Sequence, residues 1–174
     1  IGTRIHDIID NWALGRSLPD SIQLYGDDVV DASTLLDPVI SMLKGFDIRR
    51  TEFVTVNSGL GYAGTVDMEA FNSNGVAGLI DFKTKKTKPG AKIRLSDAHV
   101  MQLAAYHASE YAPGLGPEEI NWEGQWAANI YISTTEPGRV ELKIWNSIEL
   151  ALAFDGFSSC CGLWRYLKGY DARS

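Results

Sequence analysis

The chain has 174 residues, 45% apolar and 22% charged, which suits one compact domain over residues 1–174 that buries most of its unfolded surface. No stretch approaches the roughly 20 uncharged apolar residues of a membrane helix, since the most apolar late segment, Ile148 to Trp164, carries Glu149 and Asp155. A formal net charge of −6 excludes a uniformly basic surface, but Phe82 to Ser96 carries six basic residues and no acid, leaving −12 elsewhere, so the charge is polarised.

In chain order, Thr3 is positioned to cap a first helix in which Ile5, Ile8, Ile9 and Trp12 fall at helical spacing and Gly15 gives a stop. The N-terminal Ile1-Gly-Thr-Arg-Ile-His6 lacks the basic and apolar regions of a secretory signal, and the absence of an initiating Met suggests residues before Ile1. Ser17-Leu-Pro-Asp20 reads as loop, and Ala32 to Lys44 as a second helix that Pro38 divides and Gly45 ends. From Ile48 the pattern changes. Arg50-Thr-Glu-Phe-Val-Thr-Val56 is β-branched and alternating, and Tyr62 to Phe71 and Val76 to Thr84 form a hairpin around Asn72-Ser-Asn-Gly75. Ser96-Asp97 opens a helix to about Tyr111, with Val100, Leu103, Ala104, His107 and Tyr111 on its buried stripe, before Pro113-Gly-Leu-Gly-Pro117 breaks it. Trp126 to Ser133 and Val140 to Trp145 read as two further strands, and Asn146 or Ser147 caps a last helix to about Leu167. The expected order is helix, helix, three strands, helix, two strands, helix, with no internal repeat or interdomain linker.

The adjacent Cys160 and Cys161 cannot close an ordinary structural loop or supply four ligands to a zinc or iron–sulfur site. They read as packing residues of a reduced, cytoplasmic compartment. The chemistry concentrates elsewhere. Asp67 and Asp81 are placed symmetrically about Asn74, so a turn centred there sets them opposite each other, with Cβ atoms roughly 5 Å apart. Lys83, two residues from Asp81 on the same strand, then shares its face. Opposed carboxylates repel, and a proton or a cation relieves that; a divalent ion is the economical answer, and oxygen donors favour Mg²⁺ or Mn²⁺. Lys83 adds a point charge suited to an oxyanion or an attacking water.

Gly64-Thr-Val-Asp67, Ile80-Asp-Phe-Lys-Thr84 and Gln102-Leu-Ala-Ala-Tyr106 together resemble the P-D-(D/E)-x-K nuclease superfamily, and most nearly its RecB-type exonuclease branch. Gly2-Thr-Arg-Ile-His6 is similar to that branch's early helical histidine element. The resemblance spans Gly2 to Tyr106 and implies a restriction-endonuclease-like α/β fold: an αβββαβ core with a central mixed sheet flanked by helices. It implies that Asp67 and Asp81 bind metal with the main-chain carbonyl of Phe82, that His6 adds a ligand, and that Lys83 is the catalytic lysine. Gln102 and Tyr106 would line the site from their helix. Val66 stands where the superfamily's name has proline. Lacking four cysteines, the chain resembles the cluster-free members, including phage and mitochondrial exonucleases.

Charged runs are usually solvated loops, but Lys85, Lys86, Lys88, Lys92 and Arg94 follow Lys83 directly off the sheet, which favours contact with phosphate. Glu52 on the first strand is a candidate supporting acid, equally readable as a solvated one. His99 and His107 read as structural or exposed, and the tryptophans mostly as core. The expected activity is metal-dependent hydrolysis of DNA phosphodiesters, as an exonuclease on ends or single strands. The alternatives are an endonuclease on the same core or a non-catalytic DNA-binding module.

Overall fold

The computed structural model describes residues 2–24 and 28–173. It is a mixed α/β fold in which a five-stranded sheet lies between two pairs of helices. Helices α1 (Gly2–Ala13) and α2 (Ala32–Leu43) bracket a small hairpin of β1 (Ser21–Gln23) and β2 (Val29–Asp31). Strands β3 (Asp47–Asn57), β4 (Tyr62–Phe71) and β5 (Ala77–Lys85) follow, then α3 (Asp97–Tyr111), β6 (Ala127–Ser133), β7 (Val140–Trp145) and α4 (Ser147–Lys168). The sheet runs in the order β3-β4-β5-β6-β7, antiparallel except for the parallel β5–β6 pair bridged by α3. None of the described helices is long and apolar enough to cross a membrane.

Two local expectations are corrected. The first helix already includes Gly2, so Thr3 lies inside it and does not cap it. Pro38 sits within α2 without dividing it. The β1–β2 pair lies beyond the expected loop at Ser17 to Asp20, where the sequence offers no element, because three-residue strands show too little alternation to register. The last helix is capped as its sequence suggests: the Asn146 side chain accepts from the amides of Ile148 and Glu149, and Glu149 reaches back to the Asn146 amide.

Two apolar cores cover the two faces. Ile5, Ile9, Leu36 and Val39 from α1 and α2 pack on Met68, Ile80, Phe82 and Ile130, while Leu103, Ala104 and Phe154 from α3 and α4 pack on Val66, Leu79 and Ala127. Residues two apart on a strand ordinarily share a face. On β4, however, Met68 enters the first core and Val66 the second. Opposite them on β3, Thr51 hydrogen-bonds Asp10 of α1 while Phe53 packs on the second core. Both strands therefore roll over between these pairs, at Glu52 and Asp67. Glu52 has φ +47°, the one positive φ at a non-glycine among the described residues, and this left-handed step is what turns β3 over.

Candidate active site

The β4–β5 hairpin is set by its turn. The Asn72 side chain accepts from the amides of Asn74 and Val76, and Gly75 takes φ +73°. The resulting register, Phe71↔Ala77 through Met68↔Ile80, is centred on Asn74. One step further, where Asp67 and Asp81 would pair, the ladder gives way. Asp67 Oδ2 instead accepts the main-chain N–H of Phe82 at 2.7 Å, a charge-assisted bond that keeps the amide satisfied where the strands part.

Around Asp67 a first group assembles from three elements. His6 Nδ1 of α1 lies 3.4 Å from Asp67 Oδ1, and Glu52 joins them from the rolled segment of β3. One donor atom from each of His6, Glu52 and Asp67 lies within 4.8 Å of the others. The hydrogen bond to Asp67 raises the His6 pKa against the opposing effect of burial. Burial, followed by the charge of Asp67, raises that of Glu52. The Phe82 ring stands edge-on to His6, with centroids 6.0 Å apart. These residues line a cleft of about 420 Å³ that also includes Thr65, Lys83 and Thr84.

A second group adjoins the first. Lys83 Nζ donates to Asp81 Oδ1 and to Gln102 Oε1, each at 2.8 Å, and Gln102 Nε2 donates to the Tyr106 hydroxyl at 2.8 Å. Asp81 is 3% exposed; burial raises its pKa most, the negative charge of Asp67 adds to the rise, and Lys83 opposes it. Tyr106 packs directly over Gly64, where a Cβ would fall 2.3 Å from the ring. That contact gives the glycine of the Gly64-Thr-Val-Asp67 motif a physical reason.

The residues singled out from the sequence thus come together as two linked groups. Asp67 and His6 join Glu52, while Asp81, Lys83, Gln102 and Tyr106 form a hydrogen-bonded chain; Asp81 lies outside the three-donor cluster. Sequence reasoning overlooked Asn129. Its Nδ2 donates to Asp81 Oδ2 at 2.7 Å, and its only signal was a polar residue inside the apolar run Ala127-Ala-Asn-Ile-Tyr-Ile132. His99 contacts the Tyr131 hydroxyl at 3.0 Å, and His107 of α3 is buried against Tyr111 and Trp122.

Lys85 ends β5, while Lys86, Lys88, Lys92 and Arg94 are exposed on the loop beyond it. The β6–β7 turn pins that loop. Arg139 donates to the main-chain oxygens of Lys88 and Ala91, and is itself held by Glu136 and Glu141. Thr87 and Thr135 exchange hydrogen bonds through Thr87 N and Thr87 O at 2.9 and 2.8 Å. A second hollow of about 420 Å³, between Tyr62 and the Phe157 to Arg165 segment of α4, is mainly apolar and contains none of these acids.

No family model matches the sequence, and no curated protein matches it. Among solved structures, one titled "Crystal structure of SSO0001" is similar at 22% identity, covering 70% of this chain and 55% of that chain with a TM-score of 0.36. The chain therefore spans little more than half the length of that structure, and a likeness at this level decides neither fold family nor activity.

Proposed function

We propose that this chain is a metal-dependent deoxyribonuclease on a restriction-endonuclease-like core, hydrolysing phosphodiester bonds and acting as an exonuclease on DNA ends or single strands. The convergence of His6, Glu52 and Asp67 beside a lysine held by Asp81 and Gln102 carries this reading. The order of the Gly64 to Asp67, Ile80 to Thr84 and Gln102 to Tyr106 motifs supports it.

The donor set fits a hard divalent cation. Two carboxylates and an imidazole on one cleft wall suit Mg²⁺ or Mn²⁺, which complete their shells with water and substrate phosphate. His6, Glu52 and Asp67 would hold the ion, with Asp81 adjoining. Such an ion would supply Lewis acidity toward a phosphate oxygen and make a bound water easier to deprotonate. Lys83 has one ammonium hydrogen left after Asp81 and Gln102 take two, and presents it to an oxygen in the cleft, where it stabilises developing negative charge. The basic loop supplies phosphate contacts beside the cleft, independent of sequence.

End-labelled single- and double-stranded DNA incubated with Mg²⁺, Mn²⁺ or EDTA tests the activity, with Lys83→Ala as control. Cleavage that requires the metal and falls at least about 100-fold in Lys83→Ala is expected. Equal cleavage by wild type and variant refutes the assignment. Covalently closed circular DNA left intact supports exonuclease action; its cleavage points to an endonuclease.

A further inference from the structure

Strand β6 is buried at every residue, yet it carries Asn129, which is wholly inaccessible. Both ends of its side-chain amide are used. Oδ1 accepts from the indole Nε1–H of Trp145 at 2.8 Å, and Nδ2 donates to Asp81 Oδ2 at 2.7 Å. An indole only donates, so Oδ1 must face Trp145 and the amide nitrogen must face Asp81. The orientation of Asn129 is therefore fixed by chemistry.

Trp145 is itself held. Lys143 sits over its ring at 4.4 Å and is paired at 2.7 Å with Glu149, the residue that completes the α4 capping box. From Trp145 the polarity propagates. Asn129 takes Asp81 Oδ2, leaving Oδ1 for Lys83; Lys83, a pure donor, fixes Gln102 Oε1, and Gln102 Nε2 then donates to Tyr106. Removing the Trp145 donor leaves the buried Asn129 Oδ1 unpaired, and removing the Asn129 donor leaves the buried Asp81 Oδ2 unpaired.

We propose that Asn129 and Trp145 are positioning residues, fixing the Asp81 carboxylate so that Lys83 is presented to the scissile phosphate in one orientation. This inference rests on the nuclease reading for its function, though not for its geometry. Neither residue lines the cleft, so both act through Asp81.

Trp145→Phe removes the N–H and keeps an aromatic ring; Asn129→Leu removes the relay at similar size. The first readout is the indole ¹H–¹⁵N spectrum of the metal-free protein, in which the signal lost in Trp145→Phe identifies Trp145. That signal is expected to shift in Asn129→Leu and also in Asp81→Asn. An unmoved signal in Asp81→Asn overturns the linkage. The second readout is cleavage of end-labelled DNA at saturating Mn²⁺ by variants whose circular dichroism matches wild type. Both are expected to lose about 10- to 100-fold in kcat with KM within about twofold, the mark of a misplaced catalytic group. Wild-type kcat in either folded variant overturns the positioning role, as does a rise in KM alone. If wild type cleaves no DNA, the nuclease reading fails while the spectra still decide the linkage.

Discussion

Gly64→Ala tests the coupling between β4 and the lysine network. A Cβ at this position would lie 2.3 Å from Tyr106 Cε1 and 2.9 Å from both its Cζ and its hydroxyl oxygen. Carbon contacts settle at about 3.5–4.0 Å, so the ring must retreat by about 1 Å or more. The Gln102–Tyr106 bond is 2.8 Å long, and such a displacement takes it out of hydrogen-bonding range. Overpacking of this kind costs about 1–3 kcal/mol. With Tyr106 trimmed by Tyr106→Ala the obstruction is gone, and replacing a strand glycine by alanine should then stabilise by about 0.5–1 kcal/mol. Urea unfolding of the wild type, both single variants and the double variant measures this as a change of sign. The same destabilisation in both backgrounds, additive within about 0.5 kcal/mol, would refute the contact argument.

Two further outcomes follow from the same geometry. Burial lowers the His107 pKa from 6.5 to about 4, so the unfolded chain binds the extra proton between those values; this stability is complete above pH 6.5 and is lost as pH falls through about 4. The loss is on the order of 3 kcal/mol; urea midpoints of wild type and His107→Leu should diverge in their pH slopes across that window, and parallel slopes contradict the assignment. Asp81, with its raised pKa, works with the opposite sign but is common to both proteins. Arg139→Ala releases the main-chain oxygens of Lys88 and Ala91, so DNA affinity is expected to fall several-fold and the salt slope of log K to become shallower by about one; an unchanged slope would show that the loop lysines are positioned without it.

Much of the framework was legible because local chemistry dictates it. Asn72 and Gly75 determine the hairpin turn, and the turn determines the register as far as Met68↔Ile80, one step short of the expected Asp67 and Asp81 pair. The cap of the last helix was local too, expected at Asn146 or Ser147 and found at Asn146, with Glu149 completing it. What escaped the sequence depends on departures from ideal strands. Period-two alternation assumes that a strand keeps its faces, and the rollover at Glu52 and Asp67 breaks that assumption. It sends Asp67 toward His6 and Glu52, while Asp81 stays with Lys83 and Asn129, so the single spot expected from alternation becomes two adjoining groups. Glu52 was visible as a strand acid, but only the rollover shows why it meets the donors. Asn129 and Trp145 are 16 residues apart and become partners only through tertiary packing across β6 and β7.

In the proposed mechanism one cation, held by the His6, Glu52 and Asp67 group, supports DNA cleavage. Titrating Mn²⁺ while following its binding calorimetrically and cleavage of end-labelled DNA in parallel tests this most directly, in wild type and Asp67→Asn. The same Mn²⁺ concentration should half-saturate binding and activity in wild type, and both should collapse in Asp67→Asn. Undiminished metal-dependent cleavage by folded Asp67→Asn would show that this group does not hold the ion that cleaves, and Mn²⁺ binding to wild type without any cleavage would refute the nuclease activity.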